Sequence, residues 1–119
     1  MAYQSFEKLD VWKRACRLAI AVSRALRDSR HFILRDQMQR AAISIPSNIA
    51  EGAERDSRQD FIRFLRIAKG SAAELRTQSY IAVKLELITK SEAKQFVQET
   101  KELSAMLQGL IRSFDKTEN

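Results

Sequence analysis

Residues 57–84 read SRQDFIRFLRIAKGSAAELRTQSYIAVK. Phe61, Phe64, Leu65, Ala68, Ala72, Leu75, Ser79 and Ala82 recur at steps of three and four, which places them on one face of an α-helix. Ser57 and Asp60 have capping-box-like spacing at the start of this pattern, and the helix is expected over residues 57–87. The centre of the stretch, Ala68-Lys69-Gly70-Ser71-Ala72-Ala73, is rich in small side chains and allows a close helix–helix approach. An amphipathic helix needs partners for its apolar face, and the flanking sequence supplies three of the same kind.

Upstream, Leu9, Trp12, Cys16, Ala19, Ser23 and Leu26 form a helical stripe widened by Leu18, Val22 and Ala25, giving a helix over about residues 8–29. Leu34, Met38, Ala41, Ala42, Ile45, Ile49 and Ala53 continue the spacing in a helix over about 36–55. Pro46 lies inside that segment; proline removes one backbone hydrogen bond and crowds the carbonyl four residues back, here that of Ala42. Because the apolar spacing continues through Ile49 and Ala53, one kinked helix is expected, with a break at Ser44 as the alternative. Downstream, Thr89 and Glu92 form a capping box. Phe96, Thr100, Leu103, Leu107, Leu110 and Phe114 then repeat at 4-3-4-3-4, a near coiled-coil seam, giving a helix over 90–114. Residues 115–119, DKTEN, read as a frayed tail. Four helices joined by short loops predict an all-α, antiparallel up-and-down four-helix bundle.

Composition agrees with one helical domain over 119 residues: 45% hydrophobic, 30% charged, three Gly and one Pro. That is too little turn chemistry for an all-β fold. One cysteine excludes an internal disulfide framework and fits a reducing, cytoplasmic setting. Neither a signal peptide nor a membrane span is expected, since the longest apolar run is Leu18 to Val22.

The net charge of +6 is uneven. Residues 8–30 carry Lys8, Lys13, Arg14, Arg17, Arg24, Arg27 and Arg30 against Asp10 and Asp28. Residues 57–88 carry Arg58, Arg63, Arg66, Lys69, Arg76 and Lys84 against Asp60, Glu74 and Glu86. The last segment, 89–119, balances to zero. Concentrated positive charge favours a polyanion such as nucleic acid or an acidic protein face; it also describes an ordinary solvated helix surface. At about 100° per residue, Lys13, Arg17 and Arg24 align on the first helix, with Arg14 and Arg27 to either side, and Arg58, Lys69 and Arg76 align on the third, with Arg66 and Lys84 just beyond them. The two stripes would merge into one surface if those faces point the same way.

Catalytic chemistry has few candidates. His31 is the single histidine, placed at a helix end or in a loop. Asp28 and His31 have helix metal-pair spacing, yet a di-metal bundle needs that motif twice. Cys16 falls on a core stripe, as a buried structural thiol. Ser-x-x-Lys occurs at Ser91/Lys94, Ser5/Lys8 and Ser113/Lys116, too often to carry meaning, and glycines at 52, 70 and 109 make no phosphate loop. No enzyme, metal, cofactor or small-molecule substrate is expected. Trp12, Tyr80 and the phenylalanines have the rings to stack on bases, but Phe61, Phe64, Phe96 and Phe114 belong to apolar stripes, and Tyr3 and Phe6, which precede the first helix and are freer, are expected to dock on the bundle end.

The segment QRAAISIPSNIAEGAER at 39–55 clusters Ser44, Ser47 and Asn48 around Pro46. These polar residues either satisfy backbone groups around the proline or face a subunit or ligand. FEKLDVWKRA at 6–15, QMQRAAISIPSNIAEGAER at 37–55 and FLRIAKGSAAELRTQ at 64–78 resemble the four-helix-bundle proteins encoded by intervening sequences within bacterial 23S rRNA genes. These are related in fold to accessory proteins of diversity-generating retroelements. The likeness runs from about Phe6 to Phe114. It implies an up-and-down bundle, a homopentameric ring and, as one suggested role, binding to structured RNA. It supplies no catalytic residue. Arg40, Ser44, Pro46, Asn48, Glu51, Gly52, Gly70, Ser71 and Glu74 match the family's motif and read as fold or assembly positions. Self-association is also expected from apolar residues off the stripe centres: Ile43, Ile62, Ile67, Ile81 and Val83.

The expectation is therefore a non-enzymatic, homo-oligomeric bundle binding nucleic acid, RNA before DNA. Phosphate contacts are assigned to Lys13, Arg17, Arg24, Arg66, Lys69 and Arg76. A protein-binding scaffold with no nucleic-acid role is the alternative.

Overall fold

The computed structural model describes residues 5–115. Tyr3 lies outside the described residues, as does most of the expected tail, 116–119. A short 3-10 turn, Phe6–Lys8, leads into α1 (Asp10–Ala25), α2 (Phe32–Glu54), α3 (Arg58–Lys84) and α4 (Lys90–Asp115). No strand occurs among the described residues. The molecule measures 48 × 21 × 20 Å, one long helix in length and two helices across in each short direction. Each helix packs against two others: α1 against α2 and α4, α3 against α2 and α4. α1 and α3 thus stand on the diagonal, in the expected four-helix bundle. No helix is long and apolar enough to cross a membrane among the described residues.

The helix ends follow local chemistry. The Ser57 hydroxyl accepts from the Asp60 N–H at 3.0 Å. Thr89 and Glu92 close a reciprocal capping box, the Thr89 N–H donating to Glu92 Oε1 at 2.8 Å and the Glu92 N–H to Thr89 Oγ1 at 3.0 Å. α2 begins at Phe32, ahead of the expected Asp36, because His31 caps it: its Nδ1 accepts from the Leu34 N–H at 3.3 Å. α3 stops at Lys84, short of residue 87. Glu86 adopts a left-handed φ of 61°, the Leu87 N–H donates to the Ala82 carbonyl and the Glu86 N–H to that of Val83, a Schellman end. Glycine normally marks such a turn, so its absence hid this one. α1 is also shorter than expected, with Leu9 extended before it and a turn from Leu26 after it.

The core holds Leu26, Met38, Ile45, Ile49, Leu65, Leu75, Phe96, Leu103, Leu107 and Ile111 fully buried. On α1 the buried residues are Val11, Ala15, Leu18, Ala19 and Val22, continued by Leu26 just beyond the helix, so Ala19 and Leu26 of the expected stripe are in the core while Trp12, Cys16 and Ser23 lie half-buried at its edge. The wide apolar arc fits either line by spacing alone, and docking between α2 and α4 selects the centre. Cys16 is therefore a rim residue and not a core one. Partial burial pushes its thiol up, with Arg17 pulling weakly the other way, which favours the protonated form.

α2 runs unbroken through buried Pro46. The nearby polar residues form a clasp to α3: Ser44 Oγ lies 2.8 Å from Ser71 Oγ, and Asn48 Nδ2 donates to both the Ser44 carbonyl and Ser44 Oγ at 2.8 Å. None of these three bonds reaches the Ala42 carbonyl, the group Pro46 leaves without its usual donor. The cluster joins two helices. Gly52 completes the same seam, where a Cβ would lie 2.6 Å from Phe64 Cβ. Gly70, in the small-residue stretch of α3, is exposed and has open space at that position; Ala68, Ser71 and Ala72 are the residues that α3 buries there.

Candidate nucleic-acid interface

α3 and α4 run antiparallel, and Lys69 Nζ donates to Gln108 Oε1 across their seam at 2.7 Å. That bond fixes which faces meet. At about 100° per residue, Arg66, Lys69, Arg76 and Lys84 of α3 lean toward α4, while Lys90, Lys94 and Lys101 of α4 fall on the side of Gln108, toward α3. Lys69 and Arg76 are half-buried; the other five are exposed. None of the seven makes an ion pair among the described residues.

Of the α4 acids, Glu92, Glu99 and Glu102 are on its other side, and only the last residue of the helix, Asp115, falls on the side of Gln108. Arg14 of α1 donates through Nε to Glu99 Oε2 at 3.0 Å and through Nη2 to Glu99 Oε1 at 2.6 Å and Glu102 Oε1 at 2.8 Å. The hydrogen bonds it donates to Glu99 and then to Glu102 hold the Arg14 guanidinium in its charged form, well above its usual range. The Arg14 bond, helped by Gln98, holds the Glu102 carboxyl below its usual range. α4 is thus split along most of its length, Glu99 and Glu102 toward α1 and Lys90, Lys94 and Lys101 toward α3. The zero net charge of residues 89–119 concealed this, since a segment sum carries no direction; the helical wheel of α4 would have separated Lys90, Lys94 and Lys101 from Glu99 and Glu102.

Tyr80, Val83, Lys90, Ala93, Lys94, Val97, Gln98 and Lys101 line a surface groove of about 430 Å³ on this face. The Tyr80 side chain is 53% exposed. The other aromatic candidates among the described residues are engaged: Phe6 meets Trp12 edge-on with ring centroids 5.3 Å apart, Phe61 and Phe114 are 5.0 Å apart, and Phe64 and Phe96 are buried.

Lys13, Arg17 and Arg24 stand exposed on the outer side of α1. Because α1 and α3 occupy opposite corners, this stripe does not merge with Arg66, Lys69 and Arg76 within one subunit. The six sequence-derived candidates therefore form two separate strips, and the α3 strip is the one enlarged by neighbours. His31 is committed to its cap, and Asp28 lies in the turn after α1.

A family model described as 23S rRNA-intervening sequence protein matches residues 7–109. The chain belongs to this family. Among solved structures, it is similar to a protein of unknown function from the S23 ribosomal protein family of Bacteroides thetaiotaomicron, with 25% identity and a TM-score of 0.79. That likeness covers 85% of this chain and 97% of the other. No curated protein matches. The family's motif positions fall mainly along the α2–α3 seam: Pro46, Gly52 and Ser71 are buried, Ser44 and Asn48 half-buried, and Arg40, Glu51, Gly70 and Glu74 exposed.

Proposed function

We propose that the protein is a non-enzymatic, homo-oligomeric, cytoplasmic bundle that binds nucleic acid, RNA in preference to DNA, through phosphate contacts along the α3–α4 face. The observation that carries this reading is the run of seven cations on that face with no ion-pair partner among the described residues, with Glu99 and Glu102 of α4 turned toward Arg14. Unneutralised cations along a seam suit a polyanion that lies lengthwise on it, and association would be steered by the field. The preference for RNA rests on the family's description, which names 23S rRNA intervening sequences.

Self-association is supported by apolar side chains that the single bundle leaves in water: Ile20, Ile43, Ile67 and Ile81 are 51%, 52%, 42% and 47% exposed. Ile62, expected among them, is buried, and Val83 is partly buried. Gly70 adds a separate reason. Mid-helix glycine costs up to about 1 kcal/mol relative to alanine, and nothing within the subunit needs the space it leaves. A ring of five is the arrangement proposed from the family resemblance, and repetition of the basic face would make weak contacts multivalent.

Fluorescence anisotropy with a labelled structured RNA and a matched DNA tests the binding. With about five phosphates neutralised, the affinity is expected to fall roughly 50- to 140-fold as salt rises from about 50 to 150 mM, with RNA the tighter ligand. Absence of binding at the lower salt would end the nucleic-acid reading and leave a protein-binding scaffold.

A further inference from the structure

The groove on the α3–α4 face has a composition that phosphate binding does not require. Its floor is apolar, with Val83, Ala93 and Val97, and the exposed ring of Tyr80 stands at its wall. Lys90 and Lys94 are one helical turn apart on its rim, about 6 Å along the axis, and Lys101 continues the rim two turns further. Gln98 adds a side chain that both donates and accepts. A duplex could rest its phosphates on the lysines, but its bases stay stacked in the helix and cannot reach the floor. An unstacked nucleotide can fill the groove: its flat, sequence-tolerant π-face covers apolar surface and a tyrosine ring, while its phosphates stay beside the ammonium groups. The adjoining hollow at the α3–α4 turn is lined by Glu86 and Glu92 along with Lys84 and Lys90, and it is less suited to an anion.

We propose that this groove takes one unstacked nucleotide of a single-stranded RNA segment. The base lies against Tyr80 over Val83 and Val97, and the flanking phosphates lie at Lys94 and Lys101. Bound RNA is therefore single-stranded or looped where it crosses this groove. The proposal rests on the nucleic-acid reading above and adds to it a requirement for exposed bases.

The test compares a labelled unstructured oligouridine of about 12 nucleotides with an RNA duplex of equal phosphate count, using the wild-type chain, Tyr80→Ala and Tyr80→Phe. Circular dichroism checks that the variants fold, as expected for an exposed side chain. Single strands should bind about tenfold more tightly than the duplex. Tyr80→Ala should lose about tenfold on the single strand and less than twofold on the duplex, with Tyr80→Phe close to wild type. Salt-sensitive binding that is equal for both RNAs and untouched by Tyr80→Ala would overturn the nucleotide groove and leave the basic face standing. No binding to either RNA at low salt would remove both. A labelled Glu/Leu amphipathic helical peptide is the third ligand: tighter binding of that peptide than of RNA, lost in Tyr80→Ala, would assign the groove to a protein and overturn the proposal.

Discussion

Replacing Arg76, Lys94 and Lys101 together by glutamate should weaken RNA binding by at least about 100-fold, whereas Arg17→Glu with Arg24→Glu should weaken it less than about fivefold. Non-specific binding of about 10⁻⁴ to 10⁻⁶ M corresponds to roughly 5–8 kcal/mol, nearly all of it electrostatic. Spread over the seven cations of the proposed α3–α4 interface, that is about 1 kcal/mol each, so three reversals remove at least about 3 kcal/mol before any repulsion is counted. The α1 pair lies around the bundle from that face and acts only through a field screened within about 8–10 Å. All three reversed side chains lack ion-pair partners among the described residues, so helicity should be unchanged. Anisotropy titrations on both variants check the contrast. A larger loss in the α1 variant would move the interface to Lys13, Arg17 and Arg24.

The second large effect is on stability. Gly52→Ala should lower it by about 2 kcal/mol, or about 8 °C in Tm for a domain of this size. The added Cβ meets Phe64 Cβ at 2.6 Å, Phe61 Cδ1 at 3.1 Å and the Phe61 carbonyl oxygen at 3.4 Å. Phe64 Cβ is fixed to the α3 backbone, so α2 and α3 must separate where both phenylalanines are buried. Overpacking of this sort costs about 1–3 kcal/mol, more than the gain of up to about 1 kcal/mol that alanine brings to a helix. Gly70→Ala is the matched control: it has open space, should keep full helicity, and should act on sedimentation mass if Gly70 lies between subunits. Thermal melts of the two variants decide this. A Gly52→Ala melt at the wild-type temperature would show that the two helices do not need that close approach.

The fold was legible because four long apolar stripes leave few alternatives for burial, and because Ser57, Thr89 and Glu92 announce their helix starts in local sequence. Ends set by less common chemistry were not legible. A histidine caps α2 and a left-handed glutamate closes α3, where sequence rules look for serine, aspartate or glycine. The proposed interface was half legible. Arg66, Lys69 and Arg76 stand out in a basic segment, whereas Lys90, Lys94 and Lys101 vanish into a neutral sum of five bases and five acids over residues 89–119, although two of those acids, Glu99 and Glu102, are turned away toward Arg14. The order of the helices around the bundle, which sets α1 and α3 at opposite corners, is a tertiary fact that no single helix encodes.

Lysine footprinting by an amine-reactive reagent, read by mass spectrometry with and without saturating RNA, tests the α3–α4 interface most directly because it needs no variant. Lys90, Lys94 and Lys101 should become protected together with Lys69, while Lys13 on α1 keeps its reactivity. Protection of Lys13 with Lys90, Lys94 and Lys101 left fully reactive would contradict the assignment.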